Sequence, residues 1–188
     1  MTKGKEILIV NLMGSPGAGK STGAAYIFSQ LKLNQIPVEL VTEFAKDKLY
    51  EENQSVFENQ IYIFGKQYFK MSRIKGVDVI ITDSPLILQA LYAKKYNFPY
   101  KDELIALIKK VISMENSINY FINRDTPYDS KGRFQTKEES DEISNKLKSM
   151  LNEFDLDYKE YKGNIDDYNR IVQEIIEEVN KWEDYNIN

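Results

Sequence analysis

The sequence of 188 residues contains neither cysteine nor histidine. The absence of cysteine excludes a disulfide framework, a thiolate zinc site and a cysteine nucleophile. The absence of histidine excludes a Ser-His-Asp triad, an HExxH metal motif and an imidazole that moves protons near neutral pH. Any proton transfer must therefore use carboxylates, lysine, tyrosine or water.

Long apolar runs and an excess of positive charge are also missing. The most apolar segment, residues 77–93, is interrupted by Asp83 and Pro85, whereas a membrane-spanning helix needs about 20 consecutive apolar residues. The net charge of −4 gives no general attraction to nucleic acid. We expect no signal peptide, because residues 1–6 are a short polar lead-in followed at once by a strand-like run. We expect one cytoplasmic domain over residues 1–188 that does not associate with a membrane.

Short apolar runs alternate with amphipathic stretches along the chain. Runs rich in branched apolar residues predict strands at 7–12, 38–42, 77–82, 118–122 and 158–161. Apolar residues at helical spacing predict helices at 21–35, 53–73, 85–95 and 102–114, after Thr136, and from Asp166. Thr136 and Glu139 have the spacing of a capping box. The alternation predicts a three-layer α/β domain, with a parallel sheet covered by helices on both faces.

One glycine-rich segment matches the phosphate-binding pattern G-x-x-x-x-G-K-[ST] without a mismatch. Its residues are Gly14, Ser15, Pro16, Gly17, Ala18, Gly19, Lys20 and Ser21, followed by Thr22. In this pattern backbone N–H groups wrap phosphate oxygens, Lys20 reaches the β- and γ-phosphates, and the Ser21 hydroxyl binds Mg²⁺. The alternative, a glycine-rich turn beside a surface lysine, is disfavoured by the flanking strand and helix. The segment predicts binding of a nucleoside triphosphate.

Other nucleotide-binding classes fit the sequence less well. A dinucleotide fingerprint fails because Thr22 stands where its last glycine should be. The DxxG pattern of GTPases occurs at 129–132 in a polar loop, and a near match to NKxD occurs at 180–183 in a terminal helix. Motor and AAA-type ATPases usually need a longer chain. The short chain therefore favours a stand-alone kinase.

Two carboxylates follow predicted strands and are candidates for the chemistry. Asp83 directly follows the third strand, at the edge of the sheet where it can hold Mg²⁺ through water. Glu43 follows the second strand and can orient or deprotonate an acceptor hydroxyl. The competing interpretations are a surface aspartate at a strand end and a glutamate favoured by a helix dipole. Which of the two takes the proton stays open.

Two of the four arginines, Arg124 and Arg133, flank one polar loop. A mobile loop that carries arginines can cover a nucleotide and balance the charge that develops during phosphoryl transfer. We therefore expect a lid loop at about 124–136. The alternative is an exposed loop with incidental arginines.

The predicted helix at 53–73 is the candidate acceptor site. Gln60, Phe64 and Gln67 share one helical face, where glutamine amides could read the edge of a base and the aromatic ring could stack on it. The alternative is that this stripe belongs to the core. Exposed aromatic residues after it would permit a homodimer, and they are Tyr92, Tyr96, Phe98 and Tyr100.

Together these features resemble the small P-loop kinases of the AAA_28 type, which include ribosylnicotinamide kinase domains and phage P-loop kinases. The resemblance is carried by the phosphate-binding segment, residues 42–47, Gln67, the sequence Asp83-Ser84-Pro85 and the two lid arginines. It implies a five-stranded parallel sheet of the P-loop NTPase fold, ATP with Mg²⁺, and γ-phosphoryl transfer to a hydroxyl. The more distantly similar deoxynucleoside kinases imply that Glu43 is the base. Their acidic-Arg-Ser motif reads Asp83-Ser84-Pro85 here and lacks the arginine.

Three functions remain open at this point. The first is an ATP-dependent kinase acting on a nucleoside, nucleotide, nicotinamide riboside or related metabolite. The second is a kinase acting on DNA, at a hydroxymethylated pyrimidine such as 5-hydroxymethyluracil or at a DNA end. Basic residues that could favour DNA are Lys66, Lys70, Arg73, Lys75, Lys94 and Lys95. The third is a regulatory ATPase that switches a partner. The preference for ATP or GTP also stays open.

Overall fold

Five short strands form one parallel sheet at the centre of the molecule. The computed structural model describes residues 7–51, 54–125 and 136–187. The strands are β1 (Leu8–Met13), β2 (Val38–Val41), β3 (Val79–Thr82), β4 (Ser117–Asn123) and β5 (Lys159–Lys162). They pair in the order β2-β3-β1-β4-β5, and every pairing is parallel. The predicted α/β fold with a five-stranded parallel sheet is confirmed.

Helices cover both faces of this sheet. They are α1 (Lys20–Leu33), α2 (Phe44–Tyr50), α3 (Gln60–Ser72), α4 (Ile87–Lys95), α5 (Lys101–Ile112), α6 (Lys137–Glu153) and α7 (Ile165–Ile187). Helices α1 and α7 pack together in the hydrophobic core on one face of the sheet. Helices α3, α4, α5 and α6 contribute to the core on the other face. The result is the three-layer arrangement that the alternation predicted.

Strand burial follows from the position of each strand in the sheet. All four residues of β3 are buried, with Ile80 facing one core while Val79 and Ile81 face the other. Successive side chains of a strand point to opposite faces, so a central strand needs apolar residues throughout. Strand β5 lies at the edge and is polar and mostly exposed, as an edge strand that resists pairing with another chain should be.

The predicted helix at 53–73 is interrupted in the structure. A 3-10 turn covers Gln54–Glu58, and α3 begins only at Gln60. The side chain of Asn59 explains the break, because its Oδ1 accepts a 3.0 Å hydrogen bond from Tyr62 N and caps α3. Such a cap satisfies the first free N–H groups of a helix and starts it at a fixed residue. The other boundaries differ from the predicted ones by one or two residues.

Two of the four aromatic residues expected to be exposed are not. Phe98 is buried in the core with α4 and α5, and Tyr92 is partly buried against the same core. Tyr96 and Tyr100 are exposed, at 52% and 60%. The chain turns sharply after α4, where Phe98 N donates to Ala93 O, and this turn folds Phe98 inward. The aromatic surface that suggested a homodimer is therefore smaller than predicted.

Candidate active site

The candidate site lies at the carboxyl edge of the sheet, where parallel strands all end. The phosphate-binding segment, residues 14–21 and here called the P-loop, follows β1. Glu43 follows β2, Asp83 follows β3 and Arg124 follows β4. The register pairs Thr82 with both Asn11 and Val41, so the ends of these strands are adjacent. In open α/β sheets this edge is the place where ligands bind.

The P-loop has a backbone that glycine makes possible. Gly14, Gly17 and Gly19 have φ values of 140°, 80° and 95°. At Gly14 a Cβ atom would also lie 2.4 Å from Ile122 O, so a larger residue does not fit there. Lys20 Nζ donates to Ser15 O at 2.9 Å, across the loop. A loop of this kind can turn successive N–H groups into one concavity.

A short hydrogen bond joins α1 to the end of β3. Ser21 Oγ donates to Asp83 Oδ2 at 2.6 Å, and Asp83 is 8% exposed. The second carboxylate oxygen, Oδ1, is buried and has no hydrogen-bond partner among the described residues. The donor set fits Mg²⁺, which takes oxygen ligands and in phosphate sites needs only one or two protein groups. No group of three or more cysteine, histidine, aspartate or glutamate side chains that could hold a metal ion occurs within residues 7–51, 54–125 and 136–187.

Glu43 is partly buried between β2 and α2. Burial raises the pKa of its carboxyl group; Lys20 lowers the pKa, and Asp83 raises it further. The charges of Lys20 and Asp83 thus act on the Glu43 carboxyl group in opposite directions. A carboxyl group with a raised pKa is a better proton acceptor than an ordinary glutamate.

Helix α3 holds the backbone on both sides of Glu43. Lys70 Nζ donates to Thr42 O at 2.8 Å, and Phe44 N donates to Gln67 Oε1 at 2.9 Å. The residues flanking Glu43 are thus fixed by two contacts from one rigid helix. This restricts the positions that the carboxylate can reach.

The predicted acceptor residues share a buried face of α3 but differ in their bonding. Gln60 Nε2 donates to Phe57 O at 2.7 Å. This hydrogen bond holds the 3-10 turn that precedes α3. Phe64 packs in the core and stacks on Tyr68, with ring centroids 5.9 Å apart. Gln67 is 1% exposed, and its Nε2 has no hydrogen-bond partner in the part of the chain that the structure describes. Only for Gln67 does the geometry leave a buried donor for a ligand.

The structure describes only one of the two arginines that were expected to flank a lid loop. Arg124 Nη2 donates to Ser140 Oγ at 2.6 Å, and Nη1 lies 3.3 Å from Asp141 Oδ1, so its guanidinium contacts α6. Arg133 and the rest of the loop at 126–135 lie outside the described residues. The covering role expected of both arginines stays a prediction. The capping box that follows is confirmed: Glu139 N donates to Thr136 Oγ1 and Thr136 N donates to Glu139 Oε2.

Four residues of the site were missed from the sequence. The Ser84 hydroxyl is buried beside Asp83 and lacks a partner among the residues described. Tyr92 is partly buried on α4, where burial raises its pKa and the negative charge of Glu43 raises the pKa further. Ser140 and Tyr168 each donate to a P-loop carbonyl. Ser84 could have been found from its position after Asp83, but no local pattern points to the other three.

The parallel sheet and the P-loop after β1 define an α/β protein of the P-loop NTPase fold. Residues 9–167 match the AAA_28 model, which describes an AAA domain, and the chain belongs to this family. No curated protein sequence matches the chain.

Solved structures show the same fold at low sequence identity. A deoxyadenosine kinase from M. mycoides with bound dATP is 17% identical, with a TM-score of 0.57 over 92% of this chain and 99% of that one. The YorR protein from Bacillus subtilis, in complex with phosphorylated GDP, is 19% identical, with a TM-score of 0.51 over 93% and 97%. Among the helices described, none is long and apolar enough to cross a membrane.

Proposed function

We propose that this protein is an ATP-dependent kinase that transfers the γ-phosphoryl group to a hydroxyl of a nucleoside, nucleotide or related ring-bearing metabolite. The observation that carries the proposal is a set of buried polar atoms at the carboxyl edge of the sheet. Asp83 Oδ1, Ser84 Oγ and Gln67 Nε2 all lack a hydrogen-bond partner among the described residues. Buried polar groups are nearly always satisfied in a folded protein, so three exceptions on residues at or beside the ends of β2 and β3 support a ligand site.

On the donor side, the P-loop would hold the triphosphate. Its N–H groups and the Lys20 ammonium group would contact the β- and γ-phosphates, and the N-terminus of α1 would add its positive dipole. Ser21 and Asp83 would hold Mg²⁺, which offsets negative charge on the phosphates when bound. Positioning and charge stabilisation supply most of the catalysis in phosphoryl transfer, so the absence of histidine is no obstacle.

On the acceptor side, Glu43 would take the proton of the acceptor hydroxyl. The hydroxyl oxygen forms a bond to the γ-phosphorus while the bond from that phosphorus to the β–γ bridging oxygen breaks, and ADP leaves. Burial raises the pKa of Glu43, which favours this role. Asp83 is the alternative base, but one of its oxygens already accepts from Ser21.

Gln67 would contact the ring of the acceptor. Its Oε1 already accepts from Phe44 N, so the Nε2 donor is the atom that remains for a ligand. A carbonyl oxygen or unprotonated ring nitrogen would satisfy it. Nucleobases offer both groups, and the nicotinamide of nicotinamide riboside offers its carboxamide oxygen. One protein of similar fold is a deoxyadenosine kinase.

DNA is less well supported as the acceptor, because several of the basic side chains are engaged within the chain. Lys70 contacts Thr42 and lies 3.9 Å from Asp47, and Lys94 forms a 2.7 Å ion pair with Glu153. A track for the DNA backbone needs lysines and arginines that are available to phosphates. A regulatory ATPase would leave the buried Gln67 donor without a role.

The test is a transfer assay with γ-labelled ATP or GTP and a panel of acceptors. The panel contains nucleosides, nucleoside monophosphates, nicotinamide riboside, and oligonucleotides with and without 5-hydroxymethyluracil. We expect label on at least one free nucleoside-class acceptor, with weak dependence on salt. Transfer only to oligonucleotides, falling steeply with salt, would establish the DNA alternative. Slow release of inorganic phosphate that no acceptor stimulates would overturn the kinase assignment.

A further inference from the structure

A side chain of α6 forms a hydrogen bond with one backbone carbonyl of the P-loop. Ser140 Oγ donates to Pro16 O at 2.9 Å, across 124 residues of sequence. Ser140 is fully buried in the first turn of α6. Two other P-loop carbonyls accept bonds from the loop and α1, since Ser15 O accepts from Ala18 N and Gly19 O accepts from Gly23 N. Gly19 O also accepts from the Tyr168 hydroxyl of α7.

The direction of the Ser140 proton is fixed by Arg124. Arg124 Nη2 donates to Ser140 Oγ at 2.6 Å. A guanidinium group has donors and no acceptor, so the single hydroxyl proton of Ser140 must point elsewhere. The Pro16 carbonyl is the acceptor that it meets. A hydroxyl that accepts from a cation also becomes a stronger donor, because hydrogen bonds in a chain polarise one another.

The element that carries Ser140 is rigid at this point. The capping box of Thr136 and Glu139 closes the N-terminus of α6, and Ser140 N donates to Thr136 O at 3.0 Å. Asp141, the next residue, lies 3.3 Å from Arg124 Nη1 and holds the other side of the guanidinium. Arg124, Ser140 and Asp141 therefore form one fixed unit that contacts Pro16.

The orientation of the Pro16–Gly17 peptide follows from this contact. No peptide bond among the described residues is cis, so the Gly17 N–H points opposite to the Pro16 carbonyl. We infer that Ser140, oriented by Arg124, is a positioning residue that turns the Gly17 N–H towards the bound nucleotide and thereby sets nucleotide affinity. In this arrangement Arg124, which directly follows β4, acts on the P-loop through the hydroxyl of Ser140.

This inference rests on the proposed function only in taking MgATP as the donor. The first measurement is the Kd of MgATP for the full chain by titration calorimetry, with thermal denaturation in parallel. Ser140→Ala is expected to weaken binding by about three- to tenfold, the typical effect of losing one hydrogen bond. Ser140→Cys keeps the shape of the side chain, fills the site and replaces the hydroxyl by a thiol, which is a weak donor. It should also weaken binding, which covers the case in which the alanine variant folds poorly.

Tyr120→Phe is the matched control. It removes a hydroxyl on β4 that donates to Glu174 of α7 at 3.1 Å rather than to the P-loop. This variant should lose stability without a change in the Kd of MgATP. If Ser140→Ala and Ser140→Cys bind MgATP as tightly as Tyr120→Phe does, the inference is wrong and the proposed function is unaffected. If the unaltered protein does not bind MgATP, the inference and the proposed donor both fail.

A double-mutant cycle separates positioning from a general structural effect. Arg124→Met should weaken MgATP binding in the unaltered background, because the Ser140 proton is then free to rotate. In the Ser140→Ala background the same change should have a clearly smaller effect. Independent effects of the two substitutions on Kd would show that Arg124 does not act through Ser140 and would overturn the inference.

Discussion

Ser21 Oγ donates a 2.6 Å hydrogen bond to Asp83 Oδ2, and this contact joins the helix after β1 to the residue that directly follows β3. The two residues are 62 positions apart in sequence, and the parallel pairing of β1 with β3 brings them together. Asp83 keeps its other oxygen buried and without a partner among the residues described. The pair therefore joins a hydroxyl to a carboxylate whose second oxygen is an unsatisfied hydrogen-bond acceptor.

Asp83→Asn should raise the Mg²⁺ concentration needed for half-maximal transfer by about 10- to 100-fold. The amide keeps the shape of the side chain and removes the charge that would hold the ion, directly or through water. The measurement is the transfer rate at increasing Mg²⁺ and fixed ATP. A variant with an unchanged Mg²⁺ requirement would show that Asp83 has no part in metal binding.

Glu43→Gln should abolish most of the transfer activity. At pH values above the raised pKa of Glu43, the variant should also be more stable than the unaltered protein. Burial raises this pKa above 4.5, so the native state binds the proton more tightly than the unfolded state does. The stability that Glu43 contributes is therefore fully present below 4.5 and is lost as pH rises through the raised pKa. Thermal denaturation at a series of pH values should give the variant a higher Tm than the unaltered protein at high pH. The difference in Tm should decrease as the pH is lowered.

Glu115→Gln is the control for this effect. Glu115 precedes β4, at the opposite edge of the sheet from the site, and burial raises the pKa of its carboxyl group to about 7. The variant should also be stabilised at high pH, because the same linkage applies, but its transfer rate should not change. If Glu43→Gln and Glu115→Gln lose the same fraction of transfer activity, Glu43 is not the base.

Gln67→Met should raise the KM of the acceptor about tenfold or more and leave the Kd of MgATP unchanged. The variant lacks the Nε2 donor that the ligand would satisfy. Gln60→Met is the comparison, because Gln60 lies on the same face of α3 but donates to Phe57 O. If Gln60→Met raises the KM of the acceptor and Gln67→Met does not, then Gln60 rather than Gln67 contacts the acceptor.

Gly23→Ala should destabilise the protein by about 1–3 kcal/mol through overpacking. A Cβ atom at Gly23 would lie 2.6 Å from Tyr168 Cε1, and the ring of Tyr168 is held by a 2.9 Å hydrogen bond to Gly19 O. Gly65→Ala is the matched control, since a Cβ atom there meets nothing within 4 Å in the middle of α3. It should stabilise by about 0.5–1 kcal/mol. Urea denaturation measures both, and equal effects would contradict the packing described.

The sequence predicted the parts of the site that depend on local patterns. The P-loop is contiguous, and Glu43 and Asp83 follow strands that all end at one edge of a parallel sheet. Ser140 and Tyr168 could not be predicted, because their contacts with Pro16 and Gly19 cross 124 and 149 residues. The helix break at Asn59 was missed because apolar spacing continues across it while the cap uses one polar side chain.

The central claim is tested most directly by following the γ-phosphoryl group of labelled ATP with the unaltered protein and with Lys20→Ala. The label should move to the hydroxyl of a nucleoside-class acceptor, identified by mass spectrometry, and transfer by Lys20→Ala should fall to background. Label that appears as inorganic phosphate regardless of the acceptor, or full transfer by Lys20→Ala, would contradict the account.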